Sequence, residues 1–323
     1  MRMKTISRLW MGALVILLIG FPFVSDSRGA LILLTQIFIY AVFAMSYDIL
    51  LGYTGIISFG HAMFFGIGAY TTGILLSRWE HTLMAFLVSL ALVLILTGIV
   101  SYLIGVMTLR LKSHFYAMLT LAIAGLFLVL AEKWRDLTKG SDGFTFYIPD
   151  LLKDRTTFYF VALGFMFGIF YLLKRFTESP TGKVLQAIRE NEQRTESLGY
   201  QVLQYKIIAS VVAGVAAGLS GSMYAITLRF VNTSVFATNV TLDALLMTII
   251  GGVGTLFGGM IGSALILLAH TGLTDLAKVH WIFERWMIFF GAIYILAVMF
   301  FPQGIVGSIR QWREKWTKTV ASK

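Results

Sequence analysis

Apolar positions gather into long runs along this chain instead of alternating with polar ones. Residues 9–24, 30–50, 56–76, 83–108, 113–131, 158–173, 207–228 and 286–301 are each predominantly apolar. A helix that crosses a bilayer needs about 20 such residues, with roughly 17–25 tolerated. The pattern therefore predicts membrane-spanning helices, the runs at 9–24 and 158–173 being short for the purpose. Residues 240–270 are apolar too, but Gly251-Gly252-Val253-Gly254 and Gly258-Gly259-Met260-Ile261-Gly262 divide them into two half-length arms. The expected fold class is an all-α polytopic membrane protein: eight spans plus a glycine-broken re-entrant pair (8–10 membrane segments), one domain over residues 1–323.

Basic residues then orient the spans, because Lys and Arg in short loops favour the cytoplasmic side. Arg2, Lys4 and Arg8 precede the first run. That layout is shared with secretory signal peptides, but Val24-Ser25-Asp26-Ser27 is a poor small-x-small cleavage site, so a retained first helix is expected. Lys174, Arg175, Lys183, Arg189, Arg194 and Lys206 outnumber the acids of the 174–206 loop. Arg110 and Lys112 mark another basic turn, and the 302–323 tail is basic. In the 131–157 loop, five basic residues balance five acids. The simplest assignment puts both termini, the turn and the 174–206 loop in the cytoplasm and the 131–157 loop outside. The tail then stays inside only if residues 240–270 go in and come back. Broken helices of this kind are tolerated at membrane depth where protein or a cavity covers the backbone.

Composition agrees. The chain of 323 residues is 58% apolar and only 13% charged, whereas a soluble domain carries about 25% charge. A soluble enzyme of this size could not cover its surface, so the surplus apolar residues face lipid. The net charge of +10 reflects membrane orientation rather than nucleic-acid binding. With 0 Cys there is no disulfide framework and no thiolate site.

Two glycine-rich stretches are candidates for a translocation pathway. In the first, Gly52 to Tyr70, the candidate residues are Tyr53, Ser58, Gly60, His61, Gly66, Gly68 and Tyr70. Small residues let helices approach closely, and glycines also permit unwinding that exposes backbone groups to a polar solute. Close packing and solute contact both fit. His61 is costly in lipid, so it should face protein or water. The second stretch contributes Gly251, Gly252 and Gly254. Asp243, near the outer start of this pair, suits an interfacial or capping role; Asp48 suits a structural or dipole role at the end of its helix. No carboxylate relay of the kind used by proton-driven carriers stands out near the midplane.

Residues 180–198 read as one amphipathic docking helix. Ser179 can cap it, Pro180 fits its first position, and Gly199 is placed for a left-handed stop. Val184, Leu185, Ile188 and Leu198 form a partial apolar face, and Glu190 precedes Arg194 by one helical turn. A solvated connecting helix is the other reading of this charge pattern.

The first glycine stretch, Gly52-Tyr53-Thr54-Gly55-Ile56-Ile57-Ser58-Phe59-Gly60-His61-Ala62-Met63-Phe64-Phe65-Gly66-Ile67-Gly68-Ala69-Tyr70, resembles the branched-chain amino acid ABC permeases of the LivM type. Gly182-Lys183-Val184-Leu185-Gln186-Ala187-Ile188-Arg189-Glu190-Asn191-Glu192 and Gly251-Gly252-Val253-Gly254-Thr255-Leu256-Phe257-Gly258-Gly259 are similar to that family in order and spacing. His61-Ala62 after Gly60 favours LivM over its LivH sister. The resemblance implies the permease subunit of an ATP-driven importer of branched-chain amino acids or related small amino acids and amides. It implies as partners a LivH-type sister permease, two cytoplasmic ATP-binding subunits and an external or periplasmic solute-binding protein, in a bacterial inner membrane. ATP and Mg would sit on the partner ATPases, with no cofactor on this chain. It also implies that Arg189, Glu192, Arg194, Glu196 and Gly199 form the ATPase-coupling loop, although Thr195-Glu196-Ser197 stands in place of a clean Glu-Ala-Ala.

Enzyme motifs are missing. Thr177 occupies the position five residues before Gly182 where a phosphate-cradling loop needs glycine, and no His-Glu-x-x-His occurs. No catalytic or metal-binding residues are expected. The alternative to an ABC permease is a secondary transporter or channel for a small polar solute.

Overall fold

The computed structural model describes residues 17–23, 27–79, 81–111, 113–279, 285–300 and 304–308. Arg2, Lys4, Arg8, Lys112, the start of the 9–24 run and most of the 302–323 tail lie outside the described residues. In chain order the elements are α1 (17–23), α2 (Arg28–Thr54), α3 (His61–Arg78), α4 (Leu83–Thr108) and α5 (Ser113–Lys133). Then come α6 (Arg135–Thr138), a 3-10 turn (Gly140–Asp142), β1 (Phe144–Thr145), α7 (Asp150–Lys153), α8 (Arg155–Glu178), α9 (Pro180–Glu190) and α10 (Glu192–Ser197). The remainder is α11 (Val202–Leu228), β2 (Phe230–Val231), a 3-10 turn (Thr233–Phe236), α12 (Thr238–Gly251), α13 (Leu256–Val279), α14 (Trp286–Phe300) and α15 (304–308). Among the described residues, the helices α2, α4, α5, α8, α11 and α13 are long and apolar enough to cross a membrane.

Helix α2 runs through the middle of the bundle. Residues 41–50 are buried without interruption, which a helix achieves only when neighbours surround it. Those neighbours are α8, α11, α12 and α13. By contrast, Leu94, Ile95, Leu103 and Met107 on α4 and Met118 and Leu126 on α5 are exposed. An apolar surface of this extent suits lipid and not water. Some hydroxyls inside the spans bond to their own helix, Thr35 Oγ1 to Leu31 O at 2.8 Å and Thr97 Oγ1 to Val93 O at 2.6 Å, and others bond across helices, Ser101 Oγ to Ser210 O at 2.7 Å. Such bonds let a polar residue sit in a dry interior.

Small residues set a close contact between α3 and α11. A Cβ on Gly68 would lie 1.8 Å from Gly218 O, and one on Gly221 would lie 1.9 Å from Phe65 O. Thr72 and Ser222 hydroxyls bond across the same seam at 2.5 Å. At one end of the bundle, β1 pairs antiparallel with β2, Phe144 opposite Val231 and Thr145 opposite Phe230. This joins the 131–157 loop to the α11–α12 connection. The 179–201 segment caps the opposite end.

Two expectations are corrected. The 240–270 region is not two half-length arms: α12 has 14 residues, whereas α13 has 24. At 1.5 Å per residue α12 covers about 21 Å, short of a hydrocarbon core of about 30 Å, and α13 covers about 36 Å. Gly258-Gly259 does not break α13, because both glycines serve packing: a Cβ on Gly259 would meet Met45 N at 3.0 Å. Among the described residues α3 has 18 residues and α14 has 15, and the 9–24 run is described over 17–23 alone. Finally, 180–198 is two helices. Asn191 adopts an extended backbone between them (φ −159°, ψ 102°), and its side chain accepts from Arg194 N at 2.9 Å. An asparagine that caps a new helix cannot continue the old one, so Glu190 and Arg194 do not share a helical face, and Leu198 is exposed.

Candidate functional site

The glycine stretch 52–70 builds a break between two helices. α2 stops at Gly55, whose φ of 74° is left-handed. Residues 55–60 are not helical, and α3 starts at His61. The turn is held from several sides. Tyr47 Oη donates to Ser58 O at 3.0 Å, Phe59 N donates to Thr120 Oγ1 at 3.2 Å, and Gly60 N donates to Ser58 Oγ at 3.3 Å. Ala62 N, at the start of α3, donates to Thr241 Oγ1 of α12 at 2.8 Å. Gly60 is required here, since a Cβ would lie 2.6 Å from Thr120 O.

His61 is fully buried. Its Nε2 lies 2.8 Å from Ser46 Oγ, and its ring stacks on Phe43 at 5.4 Å. Its Nδ1 has no hydrogen-bond partner, and neither has the buried Tyr70 hydroxyl. Gly66 packs under the Phe236 ring, 2.4 Å from an added Cβ, and Phe236 stacks on Tyr70 at 5.5 Å. Tyr53 is buried as well. These residues therefore lie inside the chain's own helix contacts.

The second stretch converges on the first at the end of the bundle. Asp48 Oδ1 accepts from Gly254 N at 2.7 Å, while Oδ2 has no partner. A Cβ on Gly52 would lie 2.4 Å from Gly254 N, so the end of α2 and the 252–255 turn touch backbone to backbone. Gly252 and Gly254 both take positive φ, 129° and 80°, which lets the chain reverse from α12 into α13. A Cβ on Gly251 would lie 1.9 Å from Gly258 O.

Arg189 of α9 completes the junction. Its guanidinium Nη1 donates to Gly52 O, and it also acts electrostatically on Asp48. Sequence reading placed Arg189 and Gly254 in separate groups; a Cβ on Gly254 would lie 2.9 Å from Arg189 Nη1. Charge pattern alone could not pair them, because the contact joins positions far apart in the chain. The rest of the loop turns outward. Glu192 pairs with Lys206 at 2.6 Å, tying α10 to the foot of α11. Arg194, Glu196 and Gly199 are exposed, and Gly199 takes φ 90° as its spacing implied. Arg110, Glu192, Glu196 and Lys206 line both of two adjoining cavities of about 560 and 600 Å³ on this face. Among the described residues, no three His, Asp or Glu side chains are grouped to hold a metal ion.

The family described as "Branched-chain amino acid transport system / permease component" matches residues 29–298. The high-affinity branched-chain amino acid transport system permease protein LivM of Salmonella typhimurium is 24% identical, over 94% of this chain and 76% of its own length. The protein of the same name from Escherichia coli has the same identity and coverage. A probable LivM permease of Methanocaldococcus jannaschii is 21% identical over 83% of this chain and 90% of its own. No solved structure matches. With helices that cross a membrane and a family match over most of its length, the chain belongs to the branched-chain amino acid transport permease family, whose members are membrane subunits of ABC importers.

Proposed function

We propose that this chain translocates branched-chain amino acids, or related small amino acids and amides, as one permease of an ATP-driven importer. An external solute-binding protein delivers the solute. A LivH-type sister permease completes the pathway, and two cytoplasmic ATP-binding subunits, carrying ATP and Mg, drive it. The protein lies in a bacterial inner membrane, with both termini, the 174–206 loop and Arg110 on the cytoplasmic side. The observation that supports this reading most directly is Arg189. A residue of the exposed docking loop donates to a backbone carbonyl at the end of α2, against the turn between α12 and α13. A force applied to α9 therefore has a rigid route into the bilayer.

Within this reading, Arg189 and Glu192 anchor the coupling loop, while Arg194, Glu196 and Gly199 face the ATPases. The stretch from Tyr53 to Tyr70 and Gly251, Gly252 and Gly254 shape the pathway wall. They set where helices break; they do not all touch the solute. Vesicles reconstituted with all partners test the reading. They should accumulate radiolabelled leucine when ATP is enclosed and ion gradients are collapsed. Accumulation by this chain alone under a proton gradient would instead establish a secondary carrier.

A further inference from the structure

We propose that the cleft between the ends of α2, α8 and α11, beside the 131–157 loop, binds the headgroup phosphate of an anionic phospholipid, with the Arg155 and Arg229 guanidiniums as its donors. The site does not depend on which solute the importer carries.

The cleft has a volume of about 110 Å³ and a lining of two kinds. Leu31, Ile32 and Phe158 are apolar, whereas Lys153, Arg155 and Arg229 are cationic; among the described residues no acid lines it. The chain neutralises one of these cations and leaves two. Lys153 pairs with Asp150 at 2.5 Å. The other acid close in sequence, Asp154, is engaged with the start of α8, accepting from Thr157 N and Thr157 Oγ1, both at 2.8 Å. The Arg155 side chain makes no hydrogen bond or ion pair among the described residues. Arg229 Nη2 donates to Lys153 O at 3.2 Å, which occupies one N–H of a guanidinium that has several.

Backbone contacts hold Arg229 at this place. It ends α11 in a left-handed conformation (φ 56°, ψ 25°), where glycine is the usual residue. Its N–H donates to Ala225 O at 2.8 Å, and its carbonyl accepts from Phe146 N at 3.3 Å. A planar guanidinium fixed in this way matches the paired oxygens of a phosphate.

Location selects a lipid over a free anion. Ile32 is exposed on the cleft wall, and so are Leu151 and Leu228, next in sequence to other wall residues. Apolar side chains exposed at the ends of spans meet acyl chains, and basic pockets between such helices take anionic headgroups. A small water-soluble anion would use the guanidiniums and leave the apolar rim without a partner. In the proposed orientation this end is external, where Lys and Arg are depleted. Cations kept there are matched by anions: Asp150 serves Lys153, and a lipid phosphate serves the two arginines. The cleft admits a phosphate group, while the acyl chains stay outside it along Ile32.

The test uses the full chain in neutral detergent, with a fluorescent phosphatidylglycerol as probe. The wild-type protein should bind it, and unlabelled phosphatidylglycerol should displace it better than phosphatidylcholine, whose headgroup carries no net charge. Arg155→Gln should weaken binding by about tenfold, the loss expected for a charge-assisted hydrogen bond. Arg229→Gly, which suits the left-handed backbone, should weaken it likewise. Wild-type binding in both variants overturns the inference, as does equal displacement by phosphatidylcholine. Displacement by inorganic phosphate at the same concentrations makes this a free-anion site, and displacement by leucine makes it a solute site; either result overturns the lipid assignment. If Arg155→Gln fails to fold, the residue is structural and the inference falls. Each of these outcomes leaves leucine uptake by the assembled importer, and hence the proposed function, to stand on its own test.

Discussion

Gly68 and Gly125 show how differently two glycines of one membrane protein are used. Gly68 has the backbone of α11 against it, with Gly218 O at 1.8 Å from an added Cβ; Gly125 on α5 has nothing within 4 Å. Gly68→Ala must push two helices apart, and overpacking costs about 1–3 kcal/mol. Gly125→Ala meets open space and gains helix propensity of about 1 kcal/mol at most. Thermal unfolding in detergent should show Gly68→Ala lowered and Gly125→Ala unchanged or slightly raised; equal effects would contradict the packing described. Asp48 allows a parallel comparison. Asp48→Ala strands Gly254 N–H in a buried site, at about 1–3 kcal/mol, whereas Asp48→Asn keeps an oxygen that can accept from it. The asparagine variant should therefore unfold at the higher temperature of the two.

Elements explain which of these features the sequence carried openly. Long apolar runs announced α2, α4, α5 and α11, because a span leaves a composition signal over its whole length. The left-handed stop at Gly199 and the Ser179 cap were legible for a similar reason, as each is local chemistry. The break at Asn191 was hidden: asparagine is tolerated inside helices, and only its bond to Arg194 N reveals the new start. Arg189 against Gly254 was hidden too, since 65 residues separate them and no local rule links them. The two halves of the loop now predict different variants. Glu196 on α10 is exposed, so Glu196→Lys should leave stability within about 0.5 kcal/mol yet reduce co-purification of the ATPases or uptake per ATP. Glu192→Lys removes the partner of Lys206, whose side chain is only 10% exposed, so it should also lower the unfolding temperature. Wild-type docking and coupling in both variants would make the loop a passive connector.

Across the whole molecule, the short helix α12 and the long helix α13 form an unequal hairpin. Its turn lies at Arg189, so the far end of α13 belongs to the opposite face of the membrane. Single cysteines in place of the exposed Asp275 and Ser197 should therefore label from opposite sides with an impermeant thiol reagent; labelling of both from one side would refute the hairpin. Helix α12 packs against α13 there, and a fold-back within 240–270 was expected from the parity of basic loops. The unequal lengths were not, because Gly258 and Gly259 punctuate like helix breakers while serving as contact points. One contact of this region bears on how the protein is made. A Cβ on Gly304 would lie 2.3 Å from Gly252 Cα, so α15 rests on the turn that also holds Asp48, Gly52 and Arg189. Residue 304 leaves the ribosome long after residue 48 has entered the bilayer. Until then the turn between α12 and α13 lacks this contact. A message cut short before that codon would yield the junction of Asp48, Gly52, Arg189 and Gly254 without the segment that covers its glycine turn.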